Sequence, residues 1–345
     1  MAVDIISILV VVLIVLAIAL AFSIGANDET LSTLVGAGVI KFKVALLIGG
    51  LAVGVGMFSF SFAFVAKTVG ADLLGQAVTY TEFMLLAVLI SSILWLVIGS
   101  FSGIPLSSTH SLVGSIFGVV FVYALTHGDV NPETAFNWVK LNNVILSWFF
   151  SPLFGLIMTY VLFKLLAKVY LSRLKGLNQI EKSEKYFKWL LLIAVIFAEI
   201  WVGANSGEAV GILYGLYGGG GGTLSLEQYI FFAFICGVFS CLGIFIAARY
   251  VIRNLASQMM DSRPSESLIT QISSALILMI ATFLSLPISH SHVIVFCIFG
   301  MSVAQRKEVD YKGLGKMAIY WVLTFPAAAI LAGLIYFGFN LFGLV

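Results

Sequence analysis

Ten apolar runs, each long enough to cross a bilayer as a helix, constrain this chain more than anything else in it. They fall near 5–24, 44–66, 83–101, 105–125 and 142–168, and again near 188–206, 228–250, 267–284, 287–304 and 315–343. A spanning helix needs about 20 predominantly apolar residues, and without water its backbone groups must pair within the segment. The whole chain is 61% hydrophobic and only 10% charged, against roughly 45–50% and 25% in soluble domains. The expected fold class is therefore an all-α membrane protein of about ten transmembrane helices, with the lipid bilayer as its surroundings. A net charge of +2 makes no electrostatic case for a nucleic-acid partner. The first run lacks a basic leader and carries Asp4, which favours a retained helix over a cleaved signal. Cys236, Cys241 and Cys297 lie in apolar runs at no zinc or redox spacing and read as buried thiols.

Lysine and arginine set an orientation. With the polar stretch between the two sets of runs placed in the cytoplasm, sixteen of the eighteen basic residues fall inside, and only Lys67 and Lys140 outside. This positive-inside bias predicts a multi-pass cell-membrane protein with both termini outside and the central loop cytoplasmic. The same stretch divides the chain into a first transmembrane repeat (1–170), a cytoplasmic linker (171–187) and a second repeat (188–345).

The two halves share small motifs in the same order. Gly25-Ala26-Asn27 recurs as Gly203-Ala204-Asn205, an offset of 178, and Pro105-Leu106-Ser107-Ser108-Thr109-His110 recurs as Pro287-Ile288-Ser289-His290-Ser291-His292, an offset of 182. Trp148 with Pro152 has its counterpart in Trp321 with Pro326. An odd number of spans per half, five, sends the second half into the membrane from the opposite side. Inverted repeats with broken or re-entrant half-helices are an architecture of secondary transporters.

Acids at membrane depth are functional candidates because they are costly there unless paired, solvated or protonated. Asp28, Glu29 and Glu199 are of this kind, with Glu208 close to an outer boundary. Asp28 follows Gly-Ala-Asn, where a loosened helix exposes carbonyls to a cation; Glu199 fits either a coupling role or a protonated side chain bonded to a neighbouring helix. Helices starting at Pro105 and Pro287, with Gly103 allowing the first break, would aim free N–H groups, hydroxyls and a positive dipole end at a small tetrahedral oxyanion. The alternative is that these hydroxyls back-bond to the preceding turn. An anion beside Asp28 calls for an accompanying Na⁺ or H⁺; no resident cofactor is expected. An ionised carboxylate accepts the proton of phosphate and repels acceptor-only sulfate. Proton-coupled transport of sulfate or another tetrahedral oxyanion is the alternative, beside a passive channel. An intramembrane serine hydrolase is disfavoured by the duplicated motifs, and Gly99-Ser100-Phe101-Ser102-Gly103 has Phe101 where a nucleophile elbow has serine. The Gly218–Gly222 run reads as an outer loop.

At these residues the chain resembles the inorganic phosphate transporter (PiT) family over nearly its full length. That family carries Gly-Ala-Asn-Asp-Val-Ala-Asn-Ala and Pro-x-Ser-Thr-Thr-His once in each half; the segments 147–152 and 321–326 are similar to its closing helices. The resemblance implies phosphate uptake coupled to Na⁺, or to H⁺ in some members, by an inverted-repeat carrier that is often a homodimer. Departures modify the carried-over sites. Val-Ala-Asn-Ala reads Glu29-Thr30-Leu31-Ser32, the second Asp position is Ser206, the later Asn is Ala209, and one motif Thr is His290. Glu208 is an added carboxylate. The expected phosphate ligands are thus Asn27, Ser107, Ser108, Thr109, Asn205, Ser289, His290 and Ser291. The expected coupling groups are Asn27, Asp28, Glu29, Asn205, Ser206 and Glu208.

Overall fold

A computed structural model describes residues 5–101, 106–127, 130–218, 223–249, 252, 262–307 and 311–345. Pro105, Gly103 and the glycines at 219–222 lie outside the described residues, as does Arg253 of the basic count.

Among the described residues the chain is helical, its only β-type pairing an isolated bridge between Leu74 and Phe136. The first half comprises α1 (Ile5–Ala26), α2 (Ser32–Gly36), α3 (Phe42–Ser59), α4 (Phe64–Lys67) with a π-turn over Thr68–Asp72, α5 (Glu82–Phe101), α6 (Ser108–Thr126), α7 (Pro132–Ala135) and α8 (Trp138–Val169). The second comprises α9 (Leu177–Asn205), α10 (Glu208–Tyr217), α11 (Leu226–Ile246), α12 (Pro264–Phe283), α13 (His290–Gln305) and α14 (Tyr311–Leu341).

Each of the ten apolar runs forms a helix. Eight described helices have the length and apolarity to cross a membrane; Glu82–Ile98 and His290–Gln305 are shorter apolar helices. The polar stretch 171–187 is only partly a loop, because α9 starts at Leu177 and buries Ser183 and Phe187. Helix α1 shows why these are membrane helices. It buries Leu13, Ala17 and Leu20 on one side and exposes Ile8, Val11 and Val15 on the other, so both faces are apolar.

Packing exchanges the halves. Helix α6 packs on α14, and α13 on α8; α1 packs on α11, and α9 on α3; α5 meets α14 as α12 meets α8. Glycine makes the innermost crossings. Backbone carbonyls leave no room for a Cβ at Gly25 (against Ser240) or Gly203 (against Val53), nor at Gly56 (Ile200) or Gly243 (Phe22). The glycine of each Gly-Ala-Asn motif thus has a packing role: it lets α1 and α9 touch α11 and α3 backbone to backbone.

Candidate functional site

The two hydroxyl segments fold alike. Helix α6 starts at Ser108 and α13 at His290, so the second helix does not begin at Pro287 as expected. Residues 286–289 are non-helical, and the helix starts only where a side chain can cap it. Ser107 (φ −81°, ψ 116°) and Ser289 (φ −83°, ψ 115°) are the N-caps. Their hydroxyls accept from the N–H groups of His110 at 3.2 Å and His292 at 3.4 Å. Each cap satisfies one otherwise orphaned N–H and keeps its O–H free to donate.

The two asparagines tie the first helix of each half to these segments. Asn27 donates through Nδ2 to the Leu106 carbonyl at 3.4 Å. Asn205 donates to the Leu286 carbonyl at 3.1 Å and to Thr282 Oγ1 at 3.0 Å, while its Oδ1 accepts from Ile288 N–H at 3.0 Å. Asn205 therefore holds both strands of the Pro287 corner, and Thr282, Leu286 and Ile288 are partners that motif reading missed.

Carboxylates cross between the halves. Glu208, fully buried at the start of α10, accepts at Oε1 from Thr109 Oγ1 at 2.6 Å and from Ser108 Oγ at 3.4 Å. Reciprocally, Glu29 Oε1 stands 3.9 Å from His290 Nε2, with the Ser291 hydroxyl alongside. Glu208 is thus a fully buried residue held by the first half. The break after Asn205 turns the chain inward, so α10 begins against the first hydroxyl segment.

Asp28 spends Oδ1 on the N–H of Thr30 at 2.8 Å, a local turn of the kind Asp favours; its Oδ2 is buried and unpartnered. Ser206 is buried just past α9, its N–H bonded to the Val202 carbonyl at 2.8 Å. Gln271, a lone amide in an apolar run, donates to the Thr30 carbonyl at 2.9 Å. Glu199 is fully buried on α9, and neither of its oxygens has a hydrogen-bond donor. Among the described residues no lysine or arginine is buried, while Asp28, Glu29, Glu199 and Glu208 all are. Among the buried polar groups, acids and neutral donors stand without a lysine or arginine.

A family model described as the phosphate transporter family matches residues 24–332. A Bacillus subtilis (strain 168) protein named as a probable low-affinity inorganic phosphate transporter is 26% identical over 347 residues, spanning 98% of this chain and 99% of that one. A sodium-dependent phosphate transporter of Plasmodium falciparum is 28% identical over 199 residues, 52% of this chain and 26% of that longer one. A solved structure titled as the sodium-dependent phosphate transporter has the same fold, with a TM-score of 0.82 at 22% identity, covering 96% of this chain and 99% of that one.

Proposed function

We propose, from the premise that the chain belongs to the phosphate transporter family, that it is a secondary carrier taking up inorganic phosphate with a coupling cation across the cell membrane. One observation carries the reading: two serine-capped helix starts, α6 and α13, each tethered by its asparagine and faced by a carboxylate from the other half. It is a transporter's constellation rather than an enzyme's, for it offers two matching cradles and no single activated nucleophile.

Free N–H groups and the positive dipole end of each helix attract an anion without a lysine or arginine. The Ser107 and Ser289 hydroxyls, already accepting their cap bonds, donate outward, joined by Ser291 and the His290 imidazole, while Ser108 and Thr109 donate to Glu208 and hold it against the first hydroxyl segment. Glu29 and Glu208 accept the hydroxyl proton that phosphate carries near neutral pH and sulfate lacks. A dianion entering beside four buried acids needs positive charge with it, and Asp28 with the ends of α1 and α9 is where we place that cation. The sodium dependence in the names of the Plasmodium falciparum relative and of the structural neighbour supports Na⁺. The changed motif, with Ser206 in the second Asp position, supports H⁺.

The exchanged pairings of α6–α14 with α13–α8 and of α1–α11 with α9–α3 support ten spans in two inverted five-span repeats. The site then lies where the repeats meet, and one repeat rocks against the other. The basic residues of the central stretch support a cytoplasmic position for it and outside termini.

The decisive experiment is uptake of ³²P-phosphate into proteoliposomes of the purified chain, with ³⁵S-sulfate in parallel, under an imposed Na⁺ or proton gradient. Accumulation of phosphate above equilibrium under either gradient supports the carrier. Equilibration without accumulation identifies a channel, and preferential sulfate accumulation overturns the substrate.

A further inference from the structure

Between α12 and α13 the backbone leaves the helix, and its carbonyls there need donors from other elements. Helix α12 ends as a Schellman motif: the Ser285 N–H bonds to the Thr282 carbonyl at 2.8 Å, and the Leu286 N–H to that of Ala281 at 2.9 Å. Ser285 takes the left-handed position of that motif, with φ 57°, where glycine sits without strain. A serine there persists only if its surroundings hold it.

Side chains hold this corner one group after another. The Ser285 carbonyl accepts from Thr68 Oγ1 at 2.9 Å, the Leu286 carbonyl from Asn205 at 3.1 Å and the Pro287 carbonyl from Trp148 Nε1 at 2.9 Å. The Ile288 N–H donates to Asn205 Oδ1 at 3.0 Å. Next in the chain is Ser289, the N-cap of α13. With four consecutive residues pinned, the place and backbone angles of that cap are set before the helix begins. Asn205 belongs to the same half; Trp148 and Thr68 reach in from the other.

Thr68 stands apart because no duplicated motif contains it. Its hydroxyl also lies 3.1 Å from the Phe64 carbonyl, the back-bond open to any helical threonine. The contact with Ser285 is shorter and joins residues 217 apart in sequence. Phe64 and Phe283 meet edge to face at 5.5 Å, so α4 and the end of α12 touch beside this bond. The Thr68 side chain is fully buried and opens the π-turn Thr68–Asp72, an uncommon element that recurs at functional sites. The turn is itself held. Tyr80 donates to the Val69 carbonyl at 3.0 Å, and Gly70 has no room for a Cβ against the Gly211 carbonyl of α10. Thr68 is thus presented by an element packed on the helix whose first residue is Glu208.

We propose that Thr68 is a positioning residue for phosphate: through the Ser285 carbonyl it sets the Ser289 cap, and with it the second cradle, without touching the substrate. The inference rests on the phosphate reading above. The first cradle, capped by Ser107, has a different tether, from Asn27 to the Leu106 carbonyl.

The test is the affinity of the purified full-length protein for ³²P-phosphate. It is read by equilibrium binding in detergent and by saturation of uptake into proteoliposomes under whichever gradient, Na⁺ or proton, drives it. Thr68→Val keeps the side-chain shape and removes the donor. Kd and apparent KM should rise about three- to tenfold, with the maximum rate within about twofold of wild type; Thr68→Ser should restore both constants. Coupling then identifies the cradle: Thr68→Val should add little to Ser289→Ala but multiply the effect of Ser107→Ala. Unchanged Kd in a monodisperse Thr68→Val protein overturns the proposal, as does an equal effect in both serine backgrounds or a Thr68→Ser protein as weak as Thr68→Val. If Thr68→Val is not monodisperse, Thr68→Ala against Thr68→Ser decides: weakened binding in the alanine variant alone supports the proposal, and equal values overturn it. A wild type that binds no phosphate overturns the phosphate reading, and this inference with it.

Discussion

His110 and His292 meet edge to face, ring centroids 4.7 Å apart. His110 stacks on Trp148 at 4.0 Å and His292 on Trp321 at 3.8 Å. The stack is laced across the halves: His110 Nδ1 lies 3.3 Å from the Trp321 carbonyl, and Trp148 Nε1 donates to the Pro287 carbonyl at 2.9 Å. A carbonyl only accepts, so the first contact places the proton on Nδ1. Four rings therefore lock the third residue of each hydroxyl helix, α6 and α13, against the closing helix of its own half, with hydrogen bonds reaching across to the other.

Removal of either ring should be felt by both. His110→Ala or His292→Ala should each destabilise the protein by about 2 kcal/mol, from lost ring contacts and the space left behind. The double variant should cost less than the two added together, because each single change already disrupts the shared stack. Thermal unfolding of the four proteins in detergent measures this; strict additivity would mean that the rings do not cooperate.

Loss of the caps should act on substrate affinity. Ser107→Ala and Ser289→Ala each remove an N-cap worth about 1 kcal/mol and one outward hydroxyl. We expect the apparent KM for phosphate to rise roughly three- to tenfold, with Ser→Thr at the same positions close to wild type. Saturation curves of uptake give the answer, and unchanged KM in both alanine variants would remove the serines from the site.

The Thr109–Glu208 bond should count as one unit. A hydroxyl donating at 2.6 Å to a buried carboxylate is charge-assisted, and its loss typically costs about 1.5–3 kcal/mol. Thr109→Val and Glu208→Gln are each expected to lower the initial uptake rate by roughly tenfold or more, with the double variant little worse than the poorer single one. Independent, multiplying effects would show that the two residues act separately.

Backbone crossings should tolerate no side chain. Gly203→Ala places a methyl group against the Val53 carbonyl, and Gly25→Ala one against that of Ser240; each should cost about 1–3 kcal/mol through overpacking. Gly338, in α14 with nothing near its missing Cβ, should accept alanine without loss. Melting temperatures of the three variants in detergent make the comparison, and equal values would refute the close crossing.

Much of this architecture was legible in the residues alone. Apolar runs of about 20 residues leave the backbone one way to satisfy itself in lipid, so each of the ten runs is a helix at nearly its expected place. Duplicated motifs also marked Asn27 and Asn205, and Ser107 and Ser289, as residues of equivalent position, since equivalent local sequences fold into equivalent caps and tethers. Linear sequence is silent, however, on what meets across 80 to 200 residues. Pro287 read as a helix start, yet Ser289 caps the helix, because Asn205 holds the preceding corner open with three hydrogen bonds. Glu208 read as a boundary acid, yet it bonds Thr109, because α9 breaks at Asn205 and α10 turns inward. Glycine in the Gly-Ala-Asn motif read as a place for the helix to loosen, and it serves a backbone crossing with a helix of the other half. Periodicity and local hydrogen bonding determine where helices start and stop; which buried acid faces which hydroxyl is decided only when the halves pack, since that choice depends on distances between segments that no single segment encodes.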